Sequence, residues 1–424
     1  MTEDALLARR RRVMGASPLF YDEPLVLERG EGMYLYTPDG RRYLDCYNNI
    51  PGVGHCNPHV VDAVARQSRM HNVHSRYISE RVVAYAERLL ATFRAPFDQV
   101  TFTCTGSESN DQALRVARAL GPGRGIICTT FAYHGNTTAT DQISPLFHAD
   151  FEPVPEVRTI PYPDAYRPLG GLAGAELEAA YLGELERAIA GFDADGVGFA
   201  GLIVCSVFAN EGLPRVPPGL LAKVADTVRT AGGLVIADEV QAGFGRTGQM
   251  WGHELMGFEP DLVTLGKPMG NGYPVAGVVG RAEIFDAFRR DVFYFNTFAG
   301  APAGIAAADA VLDVIEGERL IANAATVGAH LHDGITRLAE RHDLIGDVRG
   351  DGLWVGVELV RDRKTKEPAT DETARLVNRL KHAGILVNRI GEFDNVLKIR
   401  PPLIITTEHA DELLDALDIA LPGL

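Results

Sequence analysis

One apolar stretch decides the fold of the chain: Val235-Ile236-Ala237-Asp238-Glu239-Val240-Gln241. Its first residues predict a buried strand, and two adjacent acids stand at the carboxyl end of that strand. Further short apolar strands are predicted at residues 125–132, 202–208, 262–266 and 275–280. Helix-type segments lie between most of these strands. Because parallel strands need helical crossovers, the alternation predicts an α/β fold with a mainly parallel sheet between helices.

The length and composition of the chain predict a protein with two lobes. It has 424 residues, of which 46% are hydrophobic and 23% are charged, as is typical of an ordinary globular protein too long for one core. An N-terminal segment, residues 1–58, contains a predicted hairpin at 33–45 and is expected to join a smaller domain. We expect the large domain at 59–305 and a C-terminal, α+β small domain at 306–424. The Pro-rich residues 153–168 are predicted to form a surface loop.

Charge and cysteine usage narrow the classes of function. The net charge is −15 at pH 7, which argues against a surface for nucleic acid or for an anionic membrane, since such surfaces need clustered Lys and Arg. The five cysteines form no CxxC pair, so neither a metal site nor a disulfide framework is expected. The first residues lack the apolar stretch of a secretory signal, and no apolar run approaches a membrane span. We therefore expect a cytoplasmic protein.

A glycine-rich segment follows the strand at 235–241: Gly243-Phe244-Gly245-Arg246-Thr247-Gly248. It matches the GxGxxG pattern of dinucleotide sites. Such a site also needs a helix that opens on the last glycine, so that the helix N-terminus meets the pyrophosphate. The residues that follow include Gly252 and Gly257 and show no clean helical run. These glycines are therefore predicted to shape a loop.

Three segments carry groups that suit one ligand. Residues 105–110, Thr-Gly-Ser-Glu-Ser-Asn, follow a strand and precede a helix predicted over 111–120. Backbone N–H groups and hydroxyls at such a helix start bind phosphate. The alternative is that this segment is an ordinary helix N-cap. Asp238 needs a cation, a metal or a protonated heterocycle, or else caps a turn. Lys267 follows an apolar strand and is a candidate for imine chemistry, or else an exposed loop lysine. Pyridoxal 5′-phosphate (PLP) offers a phosphate, a protonated ring nitrogen and an aldehyde.

Over nearly its whole length, the sequence resembles the class III (ω-amino acid type) aminotransferases of PLP fold type I. The matching runs, which agree in order and spacing, are residues 34–40, 54–58, 105–108, 133–135, 238–248, 266–267 and 295–298. The resemblance implies a large domain with a mainly parallel, seven-stranded sheet, a smaller α+β domain and pyridoxal 5′-phosphate as cofactor. It also implies a homodimer with active sites at the subunit interface, a tetramer being the alternative.

The resemblance assigns roles at the reacting end of the cofactor. Lys267 would form the Schiff base and then move the proton at the substrate Cα as general base and acid. Asp238 would keep the pyridine nitrogen protonated, so that the ring draws electrons from the Cα–H bond. Gln241 would lie near the ring hydroxyl.

The resemblance also assigns residues to the ring face and the phosphate. Tyr133 would stack on the ring, with His134 close by. Gly106 and Ser107 would bind the phosphate. Thr297 would reach the phosphate of the neighbouring subunit, which is the basis for the expected dimer.

Two reactions remain open. Amino-group transfer from a small, ω- or anionic amine to a keto acid or aldehyde is favoured, because it is the common activity of this motif set. However, many class III aminotransferases carry an arginine three positions before the Pro-Pro pair at Pro401, where this chain has Lys398 followed by Arg400. The run at residues 395–402, together with residues 47–49 and 74–77, resembles the subgroup that contains ethanolamine-phosphate phospho-lyase. Elimination of phosphate and ammonia from phosphoethanolamine or a related O-phosphorylated amine is therefore the alternative.

Four residues are predicted to surround the distal anion of the substrate: Asn49, Arg76, Lys398 and Arg400. The alternative is that Lys398 and Arg400 alternate along a strand and point to water, and that Arg76 has a structural role at a helix start.

Overall fold

The computed structural model describes residues 3–94 and 96–424. Within these residues the chain forms a seven-stranded sheet, a four-stranded sheet and a five-stranded sheet, with helices packed around them. The α/β class predicted from the sequence is confirmed. No helix in the described ranges is long and apolar enough to cross a membrane.

The seven-stranded sheet, here called the large sheet, is mainly parallel. Its strands in spatial order are Gln99–Thr103, Ala276–Gly280, Leu262–Leu265, Leu234–Asp238, Phe199–Cys205, Gly125–Thr129 and Val157–Ile160. Ala276–Gly280 runs antiparallel to both neighbours, and the remaining neighbours pair in parallel. Since parallel sheets are covered on both faces, the central strands are apolar almost throughout, which is the pattern the sequence shows.

The described residues also form thirteen α-helices, which pack around the sheets. They are Glu3–Met14, Pro58–Ser68, Glu80–Leu90, Gly106–Leu120, Thr138–Asp141, Gly174–Ala194, Leu220–Thr230, Gly252–Leu255, Ala282–Asp291, Pro302–Gly317, Leu320–Ala339, Thr370–His382 and Thr407–Ala420. One helix differs from its prediction in a way that matters for the site. The helix expected over 111–120 begins at Gly106, because the Thr105 side chain accepts a hydrogen bond from the backbone N–H of Glu108 and caps it there. Gly106 and Ser107 therefore lie in its first turn.

Two smaller sheets connect the ends of the chain. The four-stranded sheet contains Arg29–Glu31, Tyr34–Tyr36, Arg42–Asp45 and Ile385–Leu386, and the five-stranded sheet contains Ile345–Asp351, Trp354–Asp362, Glu367–Pro368, Asn388–Ile390 and Val396–Ile399. The hairpin predicted at 33–45 is confirmed by antiparallel pairing of Tyr34–Tyr36 with Arg42–Asp45. Ile385–Leu386 pairs in parallel with Arg42–Asp45, which ties the N-terminal hairpin to the C-terminal region. The domain boundaries themselves stay a prediction.

One sequence-based prediction was wrong. Residues 153–168 are not entirely loop, because Val157–Ile160 forms an edge strand of the large sheet and pairs in parallel with Gly125–Thr129. The prolines of this segment flank the strand, where no sheet N–H is needed, and an edge strand tolerates them there. The prediction for residues 243–248 is confirmed, since they form turns, and only the short helix Gly252–Leu255 follows.

Candidate active site

A cavity of about 90 Å³ lies at the carboxyl end of the central strand Leu234–Asp238. Open parallel sheets bind their ligands at this edge. The lining includes every predicted cofactor residue except Thr297: Gly106, Ser107, Tyr133, His134, Asp238, Gln241 and Lys267. The fold therefore brings together four segments that are far apart in the sequence. Within the described residues, no group of His, Cys, Asp and Glu side chains is arranged to hold a metal ion.

Asp238 is a buried carboxylate that the surrounding chain holds firmly. Its Oδ2 atom accepts hydrogen bonds from Nδ2 of Asn110 (2.9 Å) and Nδ1 of His134 (2.7 Å). Its Oδ1 atom accepts one from the backbone N–H of Val240 (3.0 Å), so the turn-capping role is also present. On the other side of the His134 ring, Nε2 is buried and has no hydrogen-bond partner among the described residues. These groups fit the protonated ring nitrogen of the cofactor, because its positive charge would match a carboxylate already fixed in place.

The helix Gly106–Leu120 provides a phosphate cradle. Because Thr105 is the N-cap, the backbone N–H groups of Gly106 and Ser107 remain in the first turn, where the helix dipole favours an anion. A Cβ atom on Gly106 would lie 2.7 Å from Cγ1 of Val240, so only glycine fits this close approach. The residues present therefore fit the cofactor phosphate at this end of the cavity.

Lys267 lies two residues after the end of the strand Leu262–Leu265, and its backbone has a φ of 23°. Burial is the main cause that lowers the pKa of the Lys267 amine; the positive charge of Arg400 also lowers it, whereas Asp238 opposes the shift. The exposed-loop alternative is therefore wrong. A lysine whose neutral form is favoured can act as a nucleophile toward an aldehyde and as a general base.

Lys398 and Arg400, here called the cation pair, lie in the interior. Their exposed fractions are 2% and 6%, which contradicts the alternative that they point to water. Nζ of Lys398 donates to the carbonyl oxygen of Ala209 (3.0 Å) and to Oε1 of Gln241 (3.4 Å). Nη1 of Arg400 donates to the same Oε1 atom (2.5 Å), and its Nε donates to the carbonyl oxygen of Tyr47 (2.8 Å). The cation pair thus converges on Gln241, which also lines the cavity.

The cation pair has no acidic partner within residues 3–94 and 96–424. Among the described residues, neither Lys398 nor Arg400 forms an ion pair with a carboxylate within 4.0 Å. The acids of this region are committed elsewhere: Glu211 accepts from Thr129, and Asp45 accepts from His55. Burial and, next, the charge of Arg400 lower the pKa of Lys398, and burial lowers the pKa of Arg400. Buried cations without an acid are costly, so this position is suited to an anion from outside the chain.

The other predicted substrate residues lie in two different places. Asn49 is buried, but both ends of its amide are used: Nδ2 donates to the backbone oxygen of Gln241 (2.8 Å), and Oδ1 accepts from Nε of Arg246 (3.0 Å). It therefore supports the loop that carries Gln241. The guanidinium of Arg76 instead stacks over the rings of Phe295 (4.4 Å) and Phe293 (5.4 Å). Within one chain, the structure does not bring Arg76 to the cation pair.

Thr297 is exposed on the same segment as Phe293 and Phe295, outside the cavity of its own chain. Its predicted contact with a neighbouring subunit stays a prediction.

Three residues of the site were missed by the sequence analysis. Asn110 anchors Asp238, and its place four residues after Gly106 on the same helix face was the available signal. The ring of Trp354 lies 5.2 Å from Nζ of Lys398 and 5.3 Å from Cζ of Arg400, and no local pattern indicated it. Cys205 lines the cavity at the end of a strand that was predicted only as core.

Comparison with known proteins identifies the family. The family model Aminotransferase class-III matches residues 20–421. The chain is 39% identical over 423 residues to alanine–glyoxylate aminotransferase 2 homolog 2, mitochondrial, of Arabidopsis thaliana, covering 99% of the chain and 87% of that protein. It is 37% identical over 438 residues to ethanolamine-phosphate phospho-lyase homolog 1 of Caenorhabditis elegans, covering 99% and 94%.

A solved structure is also similar over the full chain. A phospholyase from Arthrobacter in complex with phosphoethanolamine has 43% sequence identity and a TM-score of 0.95, and the match covers 99% of this chain and 100% of that one. Thus both aminotransferases and phospho-lyases are relatives. With its large sheet, lysine, carboxylate and phosphate cradle in place, the chain belongs to the class III aminotransferase family of PLP fold type I, and its cofactor is pyridoxal 5′-phosphate.

Proposed function

We propose that the protein is a PLP-dependent phospho-lyase that eliminates phosphate and ammonia from phosphoethanolamine or a closely related O-phosphorylated amine. The observation that carries this proposal is the buried cation pair, which has no acidic partner in the described part of the chain and acts electrostatically on Lys267. A phosphate monoester carries about two negative charges at neutral pH and so matches two cations. The similarity to the Arthrobacter phospholyase supports the same substrate class. These observations reverse the order favoured from the sequence alone.

The residues of the chain divide the work of the elimination. When bound, pyridoxal 5′-phosphate supplies an aldehyde that captures the substrate amine and a ring that draws electrons from the Cα–H bond. Asp238 holds a proton on the ring nitrogen, and Gly106 and Ser107 hold the cofactor phosphate. Nζ of Lys267 takes the proton from the amine-bearing carbon.

The cation pair acts on the leaving group. Lys398 and Arg400 bind the substrate phosphate and offset the negative charge that grows on its bridging oxygen as the C–O bond breaks. The protonated Lys267 then donates this proton to the carbon from which the phosphate has left. For phosphoethanolamine, one water molecule is consumed overall, and acetaldehyde, ammonia and inorganic phosphate are formed.

The test is incubation of the holoenzyme with phosphoethanolamine, with and without a keto acid. Release of inorganic phosphate without any keto acid is the expected result. Turnover that depends on a keto acid and leaves the phosphate ester intact would overturn the proposal.

Amino-group transfer is the second candidate. It is favoured by the 39% identity to the Arabidopsis aminotransferase over nearly the whole chain. Lys267 and Asp238 would serve transfer equally well, and the cation pair would then bind the carboxylate of an anionic amine or of the keto acid that accepts the amino group. A panel of amines followed by the cofactor absorbance change would identify the donor.

We also propose that the active unit is a homodimer, with a site that each subunit completes for the other. Thr297 lies on an exposed segment with Phe293, whose exposed fraction is 76%, and exposed apolar side chains of this kind favour association. Light scattering would measure the mass. Mixing Lys267→Ala subunits with Thr297→Ala subunits should restore activity above either variant alone, because one site of the mixed dimer is then intact. A mass of one chain, or no restoration, would contradict this proposal.

A further inference from the structure

Cys205 occupies a central position in the site to which the proposed mechanism gives no role. It ends the strand Phe199–Cys205 and pairs in parallel register with Asp238 on the next strand. Neighbouring residues in register point to the same face of a sheet, so the two side chains lie side by side. The exposed fraction of Cys205 is 4%, and it lines the cavity together with Lys267 and Gln241.

Cys205 also lies near the cation pair. It belongs to a small buried cluster with Trp354, and the ring of Trp354 lies 5.2 Å from Nζ of Lys398 and 5.3 Å from Cζ of Arg400. A charge at Cys205 would act on Lys267, Lys398 and Arg400 together. Position 205 is therefore placed so that its charge decides whether the cation pair is compensated.

Cys205 itself contributes no charge at this position. Burial raises the pKa of the Cys205 thiol, and the neighbouring Asp238 adds to the effect, so the thiol is neutral at ordinary pH. A carboxylate here would meet Lys398 and Arg400 inside the protein, where an ion pair is strong once both partners are buried. It would also repel a second anion.

We propose that Cys205 determines the reaction specificity of the site: its neutral side chain keeps Lys398 and Arg400 available for the substrate phosphate. An acidic side chain at this position would pair with the two cations instead of the phosphate. The inference rests on the proposed function for its choice of phosphate as the anion. Position 205 thus sets whether the site accepts a doubly charged leaving group.

The experiment compares Cys205→Glu with Cys205→Gln in the holoenzyme. Glutamate and glutamine have nearly the same size, so their difference reports charge alone. Binding of inorganic phosphate is measured by calorimetry on enzyme saturated with cofactor, which leaves the cofactor-phosphate cradle filled. We expect Cys205→Glu to bind phosphate about 10- to 100-fold more weakly than Cys205→Gln, as for loss of hydrogen bonds to charged groups. The kcat/KM for phosphoethanolamine should fall in parallel.

Thermal unfolding and the cofactor absorbance spectrum show that each variant is folded and loaded. If the Glu variant does not fold, Cys205→Asp against Cys205→Asn repeats the comparison with shorter side chains. Equal phosphate binding by the charged and neutral members of a pair, or no phosphate binding by the unchanged holoenzyme, would overturn the inference. Failure of the proposed function gives a different result. The unchanged enzyme binds inorganic phosphate and only the charged variant loses this binding, yet no inorganic phosphate is released from phosphoethanolamine.

Discussion

Two buried charged regions, Asp238 and the cation pair, lie at the cavity, and they differ in the partners that the chain provides. Asp238 receives three hydrogen bonds, from Asn110, His134 and the backbone of Val240. Among the described residues, Lys398 and Arg400 donate hydrogen bonds only to neutral oxygens, chiefly Oε1 of Gln241, and to no carboxylate. The three hydrogen bonds hold Asp238 in fixed geometry, whereas the two cations without a carboxylate are candidates for binding an outside anion. We propose that the first region positions the cofactor and that the second selects the substrate.

The largest effect is expected where the two regions act on the same atom, Nζ of Lys267. Lys267→Ala should lower phosphate release by about 10²–10⁴-fold, because it removes the general base. Borohydride reduction of the unchanged holoenzyme should attach the cofactor to Lys267, as read by peptide mass spectrometry. Attachment to another lysine, or normal turnover by the variant, would remove Lys267 from its role.

The region around Asp238, in which the chain supplies hydrogen bonds to the charge, is tested by Asp238→Asn. The substitution removes the charge that favours a protonated ring nitrogen, so activity should fall by about 10²–10³-fold and cofactor affinity should fall with it. Asp261→Asn is the matched control, because Asp261 is also buried and accepts hydrogen bonds from Arg281 and the backbone of Val235. It should lower the free energy of unfolding and leave cofactor affinity unchanged. Equal loss of cofactor in both variants would mean that Asp238 has only a structural role.

The region of the cation pair is tested by Lys398→Met. The kcat/KM for phosphoethanolamine should fall about 10- to 100-fold, because a charged hydrogen-bond donor to the phosphate is lost. The free energy of unfolding should stay the same or rise, since a buried charge without a counter-ion is removed. Lys381→Met is the control: Lys381 is equally buried but pairs with Glu23 at 3.0 Å. Lys381→Met should lower the free energy of unfolding and leave the activity unchanged. If Lys398→Met and Lys381→Met change stability and activity in the same way, the cation pair has no special role.

The smallest expected effect is a pH dependence of phosphate binding. Burial, followed by the charge of Arg400, lowers the pKa of Lys398, so this amine loses its proton well below the pH at which an exposed lysine does. Affinity for inorganic phosphate is complete below that pKa and falls as pH rises through it, by at most about tenfold per pH unit. Measurements well above the second pKa of inorganic phosphate keep the charge of this ligand nearly constant. Lys398→Arg should hold its affinity to higher pH, and identical profiles would show that Lys398 does not bind the phosphate in its charged form.

Much of the site could be predicted because its signals are local. The strand at 235–241, the lysine after an apolar run and the opening of a helix at Thr105 are each encoded within a few residues, and their order matched one cofactor. The edge strand Val157–Ile160 escaped notice because flanking prolines hide a four-residue run. Asn110 escaped notice because its partner Asp238 is 128 residues away.

The sequence by itself determined the α/β order of elements, since apolar periodicity acts over short stretches of chain, and its motifs indicated the PLP cofactor and singled out Lys267 and Asp238 as candidates. Only the tertiary structure decided that Lys398 and Arg400 are buried without an acid, that Asn49 supports a loop and that Arg76 lies apart. Burial of a charge depends on which distant groups enclose it, here Trp354 and Gln241, and Gln241 is 157 residues from Lys398. Local patterns carry no record of such neighbours, because packing of the lobes creates them.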